Sequence, residues 1–376
     1  MKNTNKIITV ITAGTVLTLS LVFAFGEKRD FLENENRKPA QPPTFSWSSI
    51  ADGSFSLSLE EYMKDQFPLR DSFMRAKTSA QLYAGYKRID GVFVSPERLM
   101  QEVARPDISR LTKSAKRLFG NIENKNVRTS MILIPSATEV YPECLPKFSN
   151  VISQSKIIDS ILSEAECDIQ INSTQILLNS KENANVFYVS DHHWTSYAAL
   201  TVFDEFCKKA NIPHTAVNDF EVQKLTDSFK GTLYSRIPME RYTDTAEKYT
   251  RPQETFTAQC ANGATSDLFE TEYFAAEYLD QKDKYSYFGG GNFPLTILEN
   301  ESSLSPSEIV VIKDSFANCF VPHLTEYFRK VHIIDPRHFK GKRISAYINE
   351  NQNISDVMIL YGLNSLNDNS GISTLS

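Results

Sequence analysis

The chain has 376 residues, of which 41% are apolar and 23% charged, with a formal net charge of −6. That length suits one α/β domain plus a tether, and the acidic balance excludes a nucleic-acid binder, whose surface must neutralise phosphates. The five cysteines stand without CxxC pairs or His-rich spacing, so no metal site is expected, and no cofactor.

Residues 1–6 carry Lys2 and Lys6 and form a short tail before 7–25, a run without charge that is long enough to cross a bilayer as a helix of about 20 residues. The positive-inside rule keeps the amino terminus in the cytoplasm and exports the rest of the chain. The alternative is a cleaved signal peptide ending near Val22-Phe23-Ala24, which leaves the mature protein secreted. Residues 26–45 are polar, include Pro39, Pro42 and Pro43, and predict a stalk before a domain over 46–376.

Leu59, Tyr62, Met63 and Phe67 recur at helical spacing over 57–67; Pro68 interrupts, and a second helical stretch runs to 83. Val92-Phe93-Val94 predicts a short strand, 109–123 a helix, and 130–135 a buried strand. A helix at 157–165, a short strand at 186–189 and a helix at 195–210 come next. Residues 213–300 lack a clear period and are expected as a lid or groove wall. Strands are predicted at 308–312, 330–334 and 356–360, with a helical run at 316–328. Alternation of this kind implies a mostly parallel sheet flanked by helices.

Sites in such folds lie at the carboxyl ends of parallel strands. The strand at 308–312 leads through Asp314 and Ser315 into a predicted helix. A serine there has its own N–H and the helix dipole available to an oxyanion, although either residue also suits an N-cap. Before the helix at 195–210 stands Asp191-His192-His193-Trp194. A carboxylate two residues from an imidazole orients the ring and stabilises its protonated form, leaving the other nitrogen to take a proton from a serine. Adjacent histidines lack the spacing of a helical metal pair, and His192 is expected in a buried, hydrogen-bonded structural role. After the strand at 356–360, Gly362-Leu363-Asn364 offers an amide donor or simply a turn.

Together these blocks resemble the SGNH hydrolase superfamily. Lys313-Asp314-Ser315 looks like its Gly-Asp-Ser block with Lys for Gly, and Gly362 to Ser365 looks like its Gly-x-Asn-Asp block with Ser for Asp. Asp191-His192-His193 supplies the Asp-x-His pair, here ahead of the serine. That permuted order is the one found in alginate O-acetyltransferase proteins. The tetrapeptide Asp191 to Trp194 with the downstream Asp314-Ser315-Phe316 resembles the bacterial DHHW family, as do Glu35-Asn36-Arg37, the segment from Asp65 to Asp71, Gly231 to Tyr234, and Asp283 to Phe288.

The resemblance implies an SGNH-hydrolase-like α/β fold with Ser315 as nucleophile, His193 as base, Asp191 as its orienting carboxylate, and the Ser315 N–H and Asn364 amide as oxyanion donors. The glycine of the second oxyanion block is not identifiable. Near its place stands Arg337, a candidate for a polar group of substrate or for an ion pair with Asp335. The implied function is acetyl transfer to a cell-surface or extracellular polysaccharide through an acyl-serine, with a membrane-bound O-acyltransferase as candidate partner. Trp194, Tyr234 and Tyr287 are candidates for stacking on sugar rings. The same triad would serve a carbohydrate esterase, and a degenerate site would leave a carbohydrate-binding scaffold of a polysaccharide export complex.

Overall fold

Every residue of Glu308–Lys313 is buried, with Ile309 and Val311 packed into one hydrophobic cluster and Val310 and Ile312 into another. A strand that is apolar on both faces has to lie inside a sheet covered on both sides, and that is its place. The computed structural model describes residues 2–32, 38–251, 255–264, 266–367 and 371, in two units, Met1–Tyr86 and Lys87–Ser376.

The second unit is built on an eight-stranded sheet: β1 (Arg128–Ile134), β2 (Ile169–Asn172), β3 (Thr257–Ala261), β4 (Leu268–Thr271), β5 (Leu295–Glu299), β6 (Glu308–Lys313), β7 (Lys330–Ile334) and β8 (Ile354–Gly362). Their order is β2-β1-β8-β6-β7-β5-β3-β4. The first five pair in parallel and the last three join by antiparallel pairing. This is the expected α/β class, a mostly parallel sheet flanked by helices.

Helix Ser196–Ala210 covers one face with Ala198, Val202, Phe203 and Phe206. The other face carries Ile108–Gly120, Gln154–Ala165 and Ile344–Glu350, through Leu111, Leu118, Ile158, Ile161 and Tyr347 among others. Each Val, Leu, Ile or Phe among them contributes about 1.5–3 kcal/mol on full burial. The sheet is therefore held from both sides, and its carboxyl edge is left to the loops after β6, β7 and β8.

Two elements differ from expectation. The run 316–328 winds as two 3-10 turns, Ser315–Cys319 and Val321–Glu326, because Pro322 in the second has no N–H and its ring opposes a continuous α-helix. Residues 186–189 form no strand, only a single bridge between Phe187 and Trp194. Within 213–300, three segments become β3, β4 and β5 of the main sheet. A separate hairpin pairs Glu221–Phe229 with Asp244–Thr250, and the turns Thr232–Arg236 and Lys284–Tyr287 run between the strands.

The first unit contains helix Lys2–Phe25, of which Thr4–Phe25 is long and apolar enough to cross a membrane. Helices Trp47–Ala51, Ser54–Gln66 and Arg70–Tyr83 come after it. The break at Pro68 is completed by Leu69, whose φ of 55° is left-handed. Within the segment expected as a stalk, the Arg29 N–H donates to Gln66 Oε1 at 2.8 Å, Gln66 Nε2 donates back to the Arg29 carbonyl at 3.0 Å, and the Ala40 N–H donates to Asp65 at 2.8 Å. Glu35-Asn36-Arg37 lies outside the described residues.

Candidate active site

Asp314 shapes the turn that presents Ser315 at the end of β6. Its Oδ1 accepts the Phe316 N–H and its Oδ2 the Gly362 N–H, both at 2.9 Å. Asp314, not Ser315, is thus the cap. Gly362 permits this closeness of β8, since a Cβ there would lie 2.5 Å from the Phe316 ring.

The Ser315 hydroxyl lies 2.7 Å from His193 Nε2, across 122 positions of chain. His193 Nδ1 is 2.6 Å from Asp191 Oδ1, which also accepts the His193 backbone N–H at 2.9 Å. Asp191 Oδ2 accepts the Thr232 N–H at 2.7 Å and its hydroxyl at 3.0 Å. Having given its one proton to a carboxylate, the Thr232 hydroxyl can only accept from His192 Nδ1, 2.8 Å away. Gly231 makes room for all this: a Cβ there would lie 2.3 Å from the Asp191 side chain.

Behind this loop, the buried Asp244 accepts the Val189 and Ser190 N–H groups at 2.7 and 2.9 Å and the Ser190 hydroxyl at 2.5 Å. On His193 itself lies Tyr285, whose ring is 3.8 Å away at an interplanar angle of 8°, with its hydroxyl donating to the Ser315 carbonyl at 3.1 Å. The His192 ring packs at 3.9 Å and Phe316 at 5.1 Å. The imidazole is held by its edges and its faces.

Burial works to raise the Asp191 pKa, but the neighbouring His192 and His193 rings and the hydrogen bonds from His193 and Thr232 outweigh it, and the carboxyl stays well below its ordinary range. Burial, with the neighbouring His193 ring, pushes His192 down to about 3, so that ring is neutral at working pH. Burial also pushes the Tyr285 phenol well up, which keeps it a donor. Chemically the arrangement can lift a proton from Ser315 onto an imidazole that a buried carboxylate is ready to stabilise.

Ligand atoms of Asp191, His192 and His193 lie within 4.8 Å of one another. A cation bound by all three would compete with the hydrogen bonds just described, which already engage both Asp191 oxygens, both His193 nitrogens and His192 Nδ1. The donor set fits a proton relay better than a metal.

Other expected site residues fare differently. Trp194 is fully buried, and its Nε1 donates to the Phe316 carbonyl at 2.8 Å; Tyr287 is buried against Phe274 and Phe288. Neither ring can take a sugar, because each is spent on packing. Tyr234 is half-buried, with its hydroxyl on Glu240 at 2.6 Å. Arg337 is engaged with the buried Asp335 through Nε at 2.9 Å and Nη2 at 2.5 Å, which is the ion-pair alternative. The Asn364 amide donates to Gln101 at 3.3 Å, and no hydrogen bond among the described residues joins it to Ser315. The dipole of an α-helix is not available to Ser315, since only a five-residue 3-10 turn comes after β6. Lys313, where the superfamily block has glycine, is buried and donates to Asn318 at 2.8 Å; burial pushes its pKa down.

Tyr285, Thr232 and Asp244 carry no local sign of their part in the site. Thr232 and Tyr285 do fall inside segments that carried the family resemblance, which was the only signal in the sequence.

A family model described as DHHW protein matches residues 118–334. No curated protein matches the chain. Among solved structures, a DHHW family protein from Eubacterium siraeum is similar with a TM-score of 0.64 at 22% identity, covering 75% of this chain and 93% of that one. Bacillus cereus PatB1, solved with a sulfonyl adduct, has a TM-score of 0.64 at 19% identity, covering 76% of this chain and 98% of that one. The O-acetyltransferase domain of Pseudomonas putida AlgJ has a TM-score of 0.44 at 12% identity, covering 74% and 92%. The first two likenesses establish the fold.

Proposed function

The chain belongs to the DHHW family, and from that membership and its serine site we propose that it is a serine-dependent O-acyltransferase acting outside the cytoplasm on a polysaccharide. One observation carries the reading: a serine hydroxyl 2.7 Å from an imidazole nitrogen whose partner nitrogen is 2.6 Å from a buried carboxylate, at the carboxyl end of a central parallel strand. The sulfonyl adduct on PatB1, a protein of like fold, accords with it, since sulfonyl groups are taken up by nucleophiles.

In the proposed reaction Ser315 Oγ attacks the acyl carbonyl of the donor while its proton passes to His193 Nε2. Asp191 stabilises the imidazolium that forms. The Ser315 N–H is the proposed oxyanion donor, a contact worth about 3 kcal/mol in the transition state. Collapse expels the donor's leaving group, which takes the proton back from His193, and leaves an acyl-serine. A sugar hydroxyl then gives its proton to His193 and attacks the ester carbonyl; the acyl group stays on the sugar oxygen, and the expelled Ser315 Oγ takes the proton back from His193.

The polysaccharide acceptor is inferred from the permuted block order shared with alginate O-acetyltransferase proteins. The apolar helix Thr4–Phe25 would hold the domain at the membrane, where an integral O-acyltransferase can hand over acyl groups.

The test uses the purified chain, a chromogenic acetyl ester, an oligosaccharide acceptor and a sulfonyl fluoride. The wild type is expected to release acetyl, to transfer part of it to sugar, and to gain one sulfonyl group on the Ser315 peptide. Equal rates for wild type and Ser315→Ala would refute the nucleophile. Release to water without any transfer would make the protein an esterase.

A further inference from the structure

Phe55, Leu59, Met63 and Phe67 succeed one another every four residues along Ser54–Gln66 and its C-cap, and line one apolar groove. A stripe at that spacing belongs against an apolar partner. It does not end with the helix, since the Phe55 ring meets Phe45 at 6.1 Å and Phe45 meets Trp47 at 5.4 Å. Trp47 is 79% exposed, Phe45 62% and Met63 45%. A contiguous exposed patch of this kind marks an interaction surface.

What covers it is indicated by the other contacts of the same helix. Tyr62 packs edge-on against Phe23, in the last turn of the apolar span, at 6.0 Å. The Lys28 ammonium lies 4.2 Å from the Phe23 ring and 6.0 Å from that of Tyr62. The two hydrogen bonds exchanged by Arg29 and Gln66 lock the chain just past the span onto the helix end. The helix that carries the stripe is therefore fastened to the end of the apolar run, which is the level at which a span would leave hydrocarbon. Aromatic rings and lysines are the side chains that collect at that level. Glu60 and Lys64, one turn apart, line the same groove and set its polar edge.

We propose that Ser54–Gln66, with Phe45 and Trp47, lies in the interfacial layer of the phospholipid bilayer surrounding the chain's own span, as an amphipathic second anchor. This rests on the helix Thr4–Phe25 being a membrane span, and not on the chemistry of Ser315.

The test uses the full chain reconstituted in vesicles of phosphatidylethanolamine and phosphatidylglycerol, with retention checked by alkaline carbonate. Of the two tryptophans Trp194 is fully buried, so quenching reports Trp47. Expected are quenching by bromine-labelled lipid, several-fold protection from aqueous acrylamide, and loss of the lipid-quenched component in Trp47→Phe. The paired change Leu59→Glu and Met63→Glu is expected to restore acrylamide quenching. A retained chain with Trp47 open to acrylamide and indifferent to bromolipid overturns the proposal. So does protection that fades as protein is diluted in lipid, which would mean a second copy. Release by carbonate removes the span and this inference with it. The ester-cleavage rate, measured alongside, reports separately on the Ser315 reading.

Discussion

The Tyr285 ring lies parallel to the His193 imidazole, 3.8 Å away and tilted by 8°, and its hydroxyl donates to the Ser315 carbonyl. One buried side chain thus touches both the proposed base and the backbone of the proposed nucleophile. Its place predicts an electrostatic role, since an imidazolium over an aromatic face is favoured over the neutral ring.

Tyr285→Phe keeps the ring and drops the hydroxyl, and should retain most activity. Tyr285→Leu loses the stack. A cation over an aromatic face in a buried site is worth about 1–2 kcal/mol, so kcat/KM should fall roughly 10-fold or somewhat more. Steady-state kinetics of both variants decide it, and equal losses would mean that stacking contributes nothing.

Asp191→Asn should lower kcat by roughly 10³–10⁴-fold with little change in fold, because an amide cannot stabilise the imidazolium. His193→Ala, which removes the proton acceptor itself, should cost at least as much. Far-UV circular dichroism and initial rates together would reveal a merely structural loss.

Acid stability should carry the mark of Asp191. Its folded pKa lies below its ordinary value of 3.8, so between the two the unfolded chain holds more protons and stability climbs with pH. The contribution is complete above the ordinary carboxylate value and is lost progressively as pH falls below it toward the lower folded pKa. Melting temperature against pH should thus drop more steeply below pH of about 4 in the wild type than in Asp191→Asn; parallel curves would contradict this.

His192, pushed down to about 3, is neutral throughout the range in which a histidine ordinarily titrates. His192→Gln should therefore leave the shape of the pH–rate profile unchanged between about pH 5 and 8, whatever it does to the height. A shifted midpoint in that window would assign His192 a share of the titration.

Gly231→Ala puts a Cβ 2.3 Å from the Asp191 side chain, where something must move. Overpacking of this kind costs about 1–3 kcal/mol. The chain should melt earlier and lose activity beyond what the melting explains, because the displaced group orients His193. Unchanged activity in a folded variant would mean that the loop yields without disturbing Asp191.

Much of this was legible along the chain. Asp191 and His193 are two residues apart, so their 2.6 Å bond is a local matter. The strands β6 and β8 announce themselves by the apolar runs Ile309 to Ile312 and Val357 to Tyr361, β7 by Val331, Ile333 and Ile334 around His332, and Ser315 by its place two residues after β6. Trp194 and Tyr287 were misleading for a physical reason: an aromatic ring suits a core as well as a sugar, and only depth of burial separates the two uses. The composition of 316–328 suits a 3-10 path around Pro322 as well as the expected helical run.

What the amino-acid order alone determined was the set of local devices: the apolar amino-terminal run, the alternation that makes the sheet, and the short pairing of carboxylate with imidazole. Tertiary structure decided which distant groups meet them. Ser315 comes to His193 across 122 positions, and Thr232 and Tyr285 arrive from a stretch with no period to betray them. Periodicity reports only on neighbours within a turn or a pleat, whereas strand order and burial are settled collectively by the whole chain.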